Sequence, residues 1–333
     1  MNGTVLVLVD HEGARVHPAA GELLTLARTL SADVRAVWLD EGAVGPDAAA
    51  RELLGRFGAR AVVPVQVTGA DPHLTATVVD GLRAVLGAVP AQLLLLGSTF
   101  EDREVAARLA VLTGAGVVTG ASAVGRDEDG RVVAGKEVLA GSWSSRCAVT
   151  GPLAVVTVKP HSTQAVPVDA PAAAVAADPL LVEASPAARA VTVVGRAPRP
   201  ASDRPSLADA EVVVVGGRGT NGDFAPLEEL ADVLGGAVGA TRVATDEGWI
   251  GHEAQVGQTG VTISPRLYIG AGVSGAVHHR GGMDAAVTVV AVNEDPDAPI
   301  FEFADYGVVG DLSEVVPALT RELRRRRDAA TGS

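Results

Sequence analysis

Two glycine-rich turns in the C-terminal part of the sequence have the composition of a nucleotide-binding site. The first, GRGTNG at 217–222, follows the apolar run 212–215 and precedes a helix predicted over 227–234, with Pro226 in its first turn. Glycines between a strand and a helix let a pyrophosphate approach the backbone, and the helix N-terminus supplies N–H donors. The turn therefore predicts a dinucleotide site, although a GxGxxG match by itself has little specificity.

The second turn, GAGVSG at 270–275, follows a strand predicted over 267–269 and precedes a short helix that opens at 276–279. Ser274 has the residue type of a helix cap and is predicted to be one. Two glycine-rich turns in one small domain suit a ligand with two ends.

The residue after the next strand bears on which dinucleotide is bound. Nicotinamide sites usually carry an acid about twenty residues after the glycine turn, where it binds the ribose. Here the predicted strand 237–240 ends in Thr241 and Arg242 instead. A cation suits a phosphate or an electron-rich ring better than a ribose hydroxyl, so the pattern favours a dinucleotide other than NAD.

Polar residues follow other predicted strands of this region. The run QVGQTG at 255–260 has too many glycines and amides for a helix or strand, so it indicates either a loop that presents hydrogen bonds or a plain tight turn. A strand over 287–292 ends in Asn293, and a helix is predicted to begin near Asp311. Such residues line the crevice where doubly wound sheets bind ligands. The adjacent His278 and His279 lack the spacing of a metal site.

The first part of the chain alternates β-branched runs with amphipathic stretches, which predicts parallel α/β units. Strands are predicted over 5–9, 34–39, 61–65 and 92–96, and a helix over 101–112. Ser98 and Thr99 before that helix could cap it or meet an anion. The β runs 132–133 and 153–158 predict a hairpin or a sheet edge.

Composition shifts divide the chain near residue 200. Residues 164–180 are rich in Ala, Pro and Val and predict a linker, as does 198–206, while 191–194 between them is predicted to be one more strand of the first domain. This division gives an N-terminal domain over 1–200 and a second domain over 201–333.

Charge and composition exclude several classes of protein. The net charge of −13 opposes nucleic-acid binding, which needs clustered cations. No apolar run approaches the length of a membrane span, and the start of the sequence lacks a leader pattern, which predicts a cytoplasmic protein without membrane insertion. The basic run 324–327 indicates the solvated C-terminal end of a helix over 312–323. The lone Cys147 predicts a buried, inert thiol, with neither a disulfide nor an iron-sulfur centre.

Several motifs occur together in a recognisable order. They are GGRG, VGQTG, LYIGAGVSGAVHH, VNEDPDAPIF and ADYGVVGDL, and they lie within the range 212–323, over which the match is dense. In these motifs the sequence closely resembles the electron-transfer flavoprotein alpha subunit, and more loosely over the first domain. The resemblance implies an α/β protein of two domains: a mostly parallel N-terminal domain that contacts the beta subunit, and a C-terminal, doubly wound, Rossmann-like domain that binds FAD.

The resemblance also implies which residues contact FAD. They are Arg218, Thr241, Arg242, Val256, Gly257, Gln258, Thr259, Ser274, Gly275, Ala276, Val277, His278, His279, Asn293, Asp311 and Leu312. The pyrophosphate is expected against residues 274–276, and Asn293 and Asp311 belong toward the adenosine end. Thr241 stands where serine is common in the family, which keeps the hydroxyl.

The isoalloxazine ring is expected beside Thr259, Arg242 and His279. These side chains could give hydrogen bonds or positive charge to a ring that becomes anionic on reduction. The resemblance assigns no catalytic residue and no metal site.

The function that the resemblance implies is electron transport without substrate chemistry of its own. The chain is expected to form a heterodimer with a beta subunit, which would hold any AMP, and to pass electrons from dehydrogenases such as acyl-CoA dehydrogenases to an acceptor such as a quinone oxidoreductase, as in fatty acid beta-oxidation. The alternatives are a bifurcating variant of the family, a flavin- or nicotinamide-dependent oxidoreductase with its own substrate, and a non-redox nucleotide-binding module. The oxidoreductase would need a general acid or base that the sequence does not show.

Overall fold

The computed structural model describes residues 3–40, 45–138, 143–196 and 203–331. The described residues divide into two compact units, one formed mainly by residues 3–40, 45–138 and 144–196 and the other by residues 203–331.

The first unit alternates strands and helices along most of its length. Its strands are β1 Thr4–Leu8, β2 His11–Glu12, β3 Arg15–Val16, β4 Val34–Leu39, β5 Ala61–Thr68, β6 Ala91–Leu96, β7 Gly116–Ala121, β8 Ala123–Arg126, β9 Val132–Val138, β10 Trp143–Ala148, β11 Ala154–Val158, β12 Val175–Ala176 and β13 Leu180–Glu183. Its helices are α1 Ala19–Leu30, α2 Ala48–Arg56, α3 Thr75–Ala88, α4 Phe100–Thr113 and α5 Pro186–Arg189.

The main sheet of this unit has eight strands in the order β12-β5-β4-β1-β6-β11-β7, with β13 also on β5, and the pairs are parallel. Its central strands are continuous apolar runs because both faces are covered by helices. One face packs against α1 and α2, and the other packs against α3 and α4. The four strands predicted at the start of the chain are confirmed.

The region after α4 differs in part from the prediction. Strands β8 and β9 do form an antiparallel hairpin, which belongs to a separate sheet of order β10-β9-β8. Strand β11, in contrast, lies inside the main sheet between β6 and β7, so its run is not a sheet edge. Thr99 caps α4, since its Oγ1 accepts from the N–H of Asp102 at 3.0 Å in a capping box. Cys147 is half-buried against the core, not buried as predicted.

The segment 164–180 is not the free linker that its composition predicted. The N–H of Val168 donates to the carbonyl of Arg56 at 2.8 Å, and that of Ala174 donates to the carbonyl of Arg51 at 3.0 Å. A side chain at Gly55 would clash with the carbonyl of Ala172, so the segment packs closely along α2. Its hydrogen bonds go to α2 and, through the two-residue strand β12, to β5, and such scattered contacts produce no periodicity in its own sequence.

The strand predicted over 191–194 is absent. These residues have no regular secondary structure, and Val194 is 99% exposed. A β-branched run forms a strand only where a neighbouring edge pairs with it. Strand β13, at Leu180–Glu183, pairs with β5 instead. Residues 198–202 of the second predicted linker lie outside the described residues.

The second unit contains a smaller α/β layer structure. Its strands are β14 Val212–Gly216, β15 Ala237–Ala240, β16 Leu267–Ala271, β17 Thr288–Asn293 and β18 Tyr306–Val309. Its helices are α6 Ala225–Leu234, α7 Arg242–Asp246, α8 Val277–Arg280 and α9 Leu312–Thr331, with 3-10 turns at Arg218–Thr220, His252–Ala254 and Pro299–Glu302.

All pairs of this five-stranded sheet are parallel, in the order β15-β14-β16-β17-β18. Helices α6 and α9 pack together on one face, while Val256, Met283 and Ile300 belong to the core on the other. The predicted doubly wound α/β fold is therefore confirmed. The strand order reverses between β14 and β16, which is where such sheets bind ligands.

Helix α9 begins where the sequence indicated but does not end before the basic run. It continues to Thr331, so the arginines at 324–327 lie inside the helix. Arg324 pairs with Glu229, and Arg325 and Arg326 pair with Glu322. These three arginines therefore form ion pairs with glutamates of the same unit along the surface of the helix. No helix in the described ranges is long and apolar enough to cross a membrane.

Candidate functional site

The two glycine-rich turns lie against each other where β14 and β16 end. The N–H of Gly217 donates to the carbonyl of Ala271, and that of Gly219 donates to the carbonyl of Gly272, both at 3.1 Å. A Cβ at Gly219 would lie 2.8 Å from Cα of Gly272, and one at Gly217 would clash with the same residue. Gly217 and Gly219 therefore make the contact between the two turns possible, and this contact uses their own N–H groups.

The second turn is held on its other side by the 3-10 turn Pro299–Glu302. Gly272 and Gly275 have φ of +62° and +85°, which side chains rarely adopt. The carbonyl of Ser274 accepts from the N–H of Ile300 at 3.0 Å, and a Cβ at Gly275 would lie 2.5 Å from the same nitrogen. Gly275 is therefore required for packing as well as for conformation.

Backbone donors remain free on this second turn. The successive N–H groups of Ser274, Gly275, Ala276 and Val277 have no acceptor within the described part of the chain. Helix α8 begins at Val277, and Ala276 precedes it, so Ser274 is not its cap. The Ser274 side chain is exposed. Consecutive free N–H groups form a suitable site for an anion such as a phosphate.

Asn293 ties the end of β17 to this turn. Its Nδ2 donates to the carbonyl of Val273 at 2.9 Å, and its Oδ1 accepts from the N–H of Asp295 at 3.0 Å. The side chain thus holds the turn in place, and one N–H of its amide and one lone pair of Oδ1 remain for a ligand.

Asp311 and Leu312 lie at the start of α9. Oδ1 of Asp311 accepts from the N–H of Ser313 at 2.8 Å, and this hydrogen bond lowers the pKa of the Asp311 carboxyl. Cδ2 of Leu312 lies 2.8 Å from the position of a Cβ on Gly272, so Leu312 packs over the contact between the two glycine turns. Both residues border the crevice.

Exposed cations flank the site near β14 and β15. Arg242 is the first residue of α7, and its Nε lies 3.2 Å from Oδ2 of Asp246, with 68% of the Arg242 side chain exposed. Thr241 precedes the helix but makes no capping bond with its side chain, which leaves the hydroxyl available. Arg218 is exposed in the first turn, without an ion-pair partner among the residues described.

The loop 255–260 is fixed at both ends and is more than a tight turn. The N–H of Val256 donates to the carbonyl of Ala240 at 2.9 Å, and that of Gly257 donates to the carbonyl of Val261 at 3.2 Å. A side chain at Gly282 would clash with the backbone of Gly257, so the loop packs closely on the segment after α8. The side chain of Val256 is 1% exposed and belongs to the core, which leaves only its backbone for the predicted contact.

His279 is buried, and both of its ring nitrogens are used inside the protein. Nε2 lies 2.7 Å from the hydroxyl of Tyr268, and Nδ1 lies 2.9 Å from the carbonyl of Val256. Because a carbonyl only accepts, the proton of the neutral ring belongs on Nδ1, and Nε2 accepts from Tyr268. Burial lowers the pKa of His279 and raises that of Tyr268. The expected hydrogen bond from His279 to a flavin would require one of these bonds to break.

Of the two adjacent histidines, His278 is the one with a free ring nitrogen. Its Nδ1 lies 3.0 Å from Oε1 of Gln258, and the N–H of Gln258 donates to the carbonyl of His278 at 3.0 Å. Nε2 of this exposed ring has no partner in the ranges that the structure describes. His278 and Gln258 are therefore held together beside the loop.

Sequence reasoning missed the residues that support the site from below. Gln255 and Thr245 are buried, and Nε2 of Gln255 donates to Oγ1 of Thr259 at 2.9 Å. Tyr268 lies in the middle of a strand whose other residues are apolar or glycine. A single polar atom in an otherwise buried run was the available signal, since such atoms are almost always hydrogen-bonded.

The arrangement fits a nucleotide cofactor and contains no metal centre in the part of the chain described. Free backbone donors, two exposed arginines and free hydroxyls lie along one edge of the sheet, which is the chemistry that phosphates and ring carbonyls require. No group of three His, Cys, Asp or Glu among the described residues could hold a metal ion.

Comparisons with known proteins give the same result for both units. The model of the electron transfer flavoprotein FAD-binding domain matches residues 206–284, and that of the electron transfer flavoprotein domain matches residues 5–187. Among curated proteins, the electron transfer flavoprotein subunit alpha of Mycobacterium leprae is 38% identical over 325 residues, which cover 97% of this chain and 98% of that protein.

Two further relatives match over a similar length. The subunit alpha of Mycobacterium tuberculosis is 39% identical, over 97% of this chain and 99% of its own length. That of Bacillus subtilis is 33% identical, over 98% of both chains.

Proposed function

The chain belongs to the electron transfer flavoprotein alpha-subunit family, and we propose that it carries electrons between a donor dehydrogenase and a downstream acceptor. Its cofactor is FAD, which is the ligand of the family domain that matches residues 206–284. FAD supplies the redox chemistry, while the protein binds it, orients it and sets its electrostatic surroundings.

The observation that carries the proposal is the second glycine turn with its free backbone donors. The N–H groups of residues 274–277 would hold the pyrophosphate at the point where the strand order reverses. Arg218 adds positive charge near the two turns. Asp311 and Leu312 would border the adenosine end, with Asn293 holding the turn in shape.

The isoalloxazine ring would lie beside the loop 255–260. Thr259 and Thr241 offer hydroxyls, Arg242 offers an exposed cation, and His278 offers a free ring nitrogen. His279 would act indirectly, because its hydrogen bond to the carbonyl of Val256 fixes the backbone of this loop. Gly257 and Gln258 would contribute backbone and amide contacts.

The proposal includes a beta subunit as partner. Relatives of this chain are named as alpha subunits, which supports pairing with a beta subunit. We propose a heterodimer in which the first unit contacts that subunit. We propose acyl-CoA dehydrogenases as donors and a quinone oxidoreductase as acceptor, in fatty acid beta-oxidation. The chain would have no substrate of its own.

Purification after co-expression with the beta subunit of the same organism tests this function. We expect a yellow heterodimer with one noncovalent FAD, which acid precipitation releases, and reduction of that FAD by a dehydrogenase with its substrate. A covalent flavin, FMN or a colourless heterodimer would contradict the cofactor assignment. Turnover of a small metabolite by the heterodimer alone would instead support the oxidoreductase alternative.

A further inference from the structure

Three side chains connect α7 to the loop 255–260. Gln255 is 6% exposed and Thr245 is 3% exposed. Oε1 of Gln255 lies 3.1 Å from Oγ1 of Thr245, and its Nε2 lies 2.9 Å from Oγ1 of Thr259. We call this set the Gln255 bridge. Only Thr259 among its members is exposed.

The hydroxyl of Thr245 has more acceptors than it can serve. It lies 2.9 Å from the carbonyl oxygen of Arg242 and 3.1 Å from Oε1 of Gln255. Both oxygens only accept, and a hydroxyl has one proton. The proton can therefore satisfy one of them at a time, so the Gln255 bridge has two arrangements.

In the first arrangement Thr245 donates to Oε1 of Gln255, and Nε2 of Gln255 donates to Thr259. The proton of Thr259 is then free, and its hydroxyl can donate to a ligand on the exposed side of the loop. In the second arrangement Thr245 donates to the carbonyl of Arg242, and the amide of Gln255 is turned over. Nε2 of Gln255 then donates to Thr245, and Oε1 accepts from Thr259. The Thr259 hydroxyl can therefore only accept a hydrogen bond from the ligand.

The two arrangements keep the same atoms in contact and nearly the same number of hydrogen bonds. A turned amide changes the positions of its nitrogen and oxygen only, because the two atoms have nearly the same size. The bridge is buried on the side of Gln255 and Thr245, where an unmade hydrogen bond costs more than one at the surface. The polarity of Thr259 is thus tied to the state of the whole bridge.

We propose that Gln255 is a positioning residue which sets whether the Thr259 hydroxyl presents a donor or an acceptor to the flavin. This inference rests on the proposed function, in which Thr259 borders the isoalloxazine ring. An oxidised isoalloxazine presents acceptor nitrogens, and a reduced one gains N–H donors. A hydroxyl that reverses its polarity can hydrogen-bond both forms without a movement of the backbone.

Two substitutions of Gln255 test the bridge in the heterodimer. Gln255→Glu at about pH 8 places an acceptor-only group between the two threonines, so Thr259 must donate inward and can only accept from the flavin. Gln255→Met keeps the length and removes both polar atoms. We expect Gln255→Glu to weaken binding of oxidised FAD by about fivefold to tenfold, the effect of one hydrogen bond, and Gln255→Met to weaken it by at least about threefold, because the Thr259 hydroxyl keeps its proton but loses the partner that orients it.

The same substitutions in a Thr259→Val background separate positioning from a structural role. A residue that acts through Thr259 loses its effect there, so Gln255→Met should change FAD affinity by less than about twofold. The reduction potential measures the preference for reduced over oxidised FAD. We expect this preference to be about tenfold greater in Gln255→Glu alone than in Gln255→Glu combined with Thr259→Val. Gln92→Glu, an exposed position of the first unit, adds the same charge and should change neither quantity.

Equal effects of either Gln255 substitution in the two backgrounds would overturn the inference, as would an unchanged affinity in folded Gln255→Met. Thermal unfolding of the flavin-free heterodimer shows whether each variant is folded. If the buried charge of Gln255→Glu prevents folding, Gln255→Met alone tests the inference. A wild-type heterodimer without FAD would instead remove the proposed function, which distinguishes the two failures.

Discussion

The hydroxyl of Tyr268 lies 2.7 Å from Nε2 of His279, and both side chains are buried. The carbonyl of Val256 accepts from the other ring nitrogen at 2.9 Å. One imidazole therefore connects strand β16, helix α8 and the loop 255–260. The part of the site expected beside the flavin ring is anchored to the sheet through this contact.

Tyr268→Phe removes a hydroxyl and leaves Nε2 of a buried imidazole without a partner. We expect the free energy of unfolding of the C-terminal unit to fall by about 1–3 kcal/mol, the cost of an unsatisfied buried group. Urea denaturation of the flavin-free protein measures it. Tyr306→Phe is the matched control, since Tyr306 is exposed and should change stability by about 0.5 kcal/mol or less. Equal effects of the two substitutions would show that the contact does not stabilise the fold.

The buried His279 predicts a loss of stability in acid. Burial lowers its pKa in the folded state below the ordinary value of 6.5. The unfolded state therefore takes up a proton first as the pH falls, and the free energy of unfolding decreases below about pH 6.5. Above that pH the contribution is fully present.

Denaturation of wild type and His279→Gln at about pH 7.5 and about pH 5.5 tests this expectation. The difference between the two pH values should be smaller in the variant, by at most about 1.4 kcal/mol, because pH 5.5 lies about one unit below the pKa of an unfolded histidine. Six other histidines contribute to both proteins equally, so only the difference between them is informative. A parallel pH dependence would mean that His279 titrates as an exposed residue does.

Gly275→Val should destabilise the fold whether or not FAD is present. Its Cβ would lie 2.5 Å from the nitrogen of Ile300, and the residue has φ of +85°. We expect a loss of about 2 kcal/mol or more in the flavin-free protein. Gly87→Ala is the matched control, because Gly87 lies in α3 with open space around it and should be neutral or slightly stabilising.

The exposed Ser274 therefore provides the better test of the phosphate site than Gly275. Ser274→Ala keeps the backbone donors and should lower FAD affinity by at most about fivefold. Ser274→Pro removes one of the free N–H groups and should lower it further. If both variants bind FAD as wild type does, the pyrophosphate does not lie on this turn.

Arg242→Ala should lower the first reduction potential of the flavin. A cation about 7 Å from the ring, at an effective dielectric of about 40, favours an anionic ring by about 50 mV. The Asp246 carboxylate weakens this effect, because its Oδ2 lies 3.2 Å from Nε of Arg242. Asp246→Asn should therefore raise the potential, and Arg242→Lys should retain part of the wild-type value. Opposite or absent shifts in a potentiometric titration would assign the control of potential to another group.

Local features of this protein follow from its sequence. The start of α9 and the parallel strands of both units were predicted, and the capping of α4 by Thr99 was one of the two alternatives for that residue, because neighbouring residues decide these features. The glycine turns and the polar residues after the strands also indicated the edge of the sheet at which we propose the cofactor, since parallel strands bring their carboxyl ends together.

The partners of those residues were decided only by the tertiary structure. The donors of Gly217 and Gly219 are used by the opposite turn, and the ring of His279 is occupied by Tyr268 and Val256. In the first unit, residues 164–180 pack along α2 although their composition is that of a linker. A hydrogen bond between residues distant in the chain depends on which groups the fold brings within about 3 Å, and composition and periodicity carry no information on that distance.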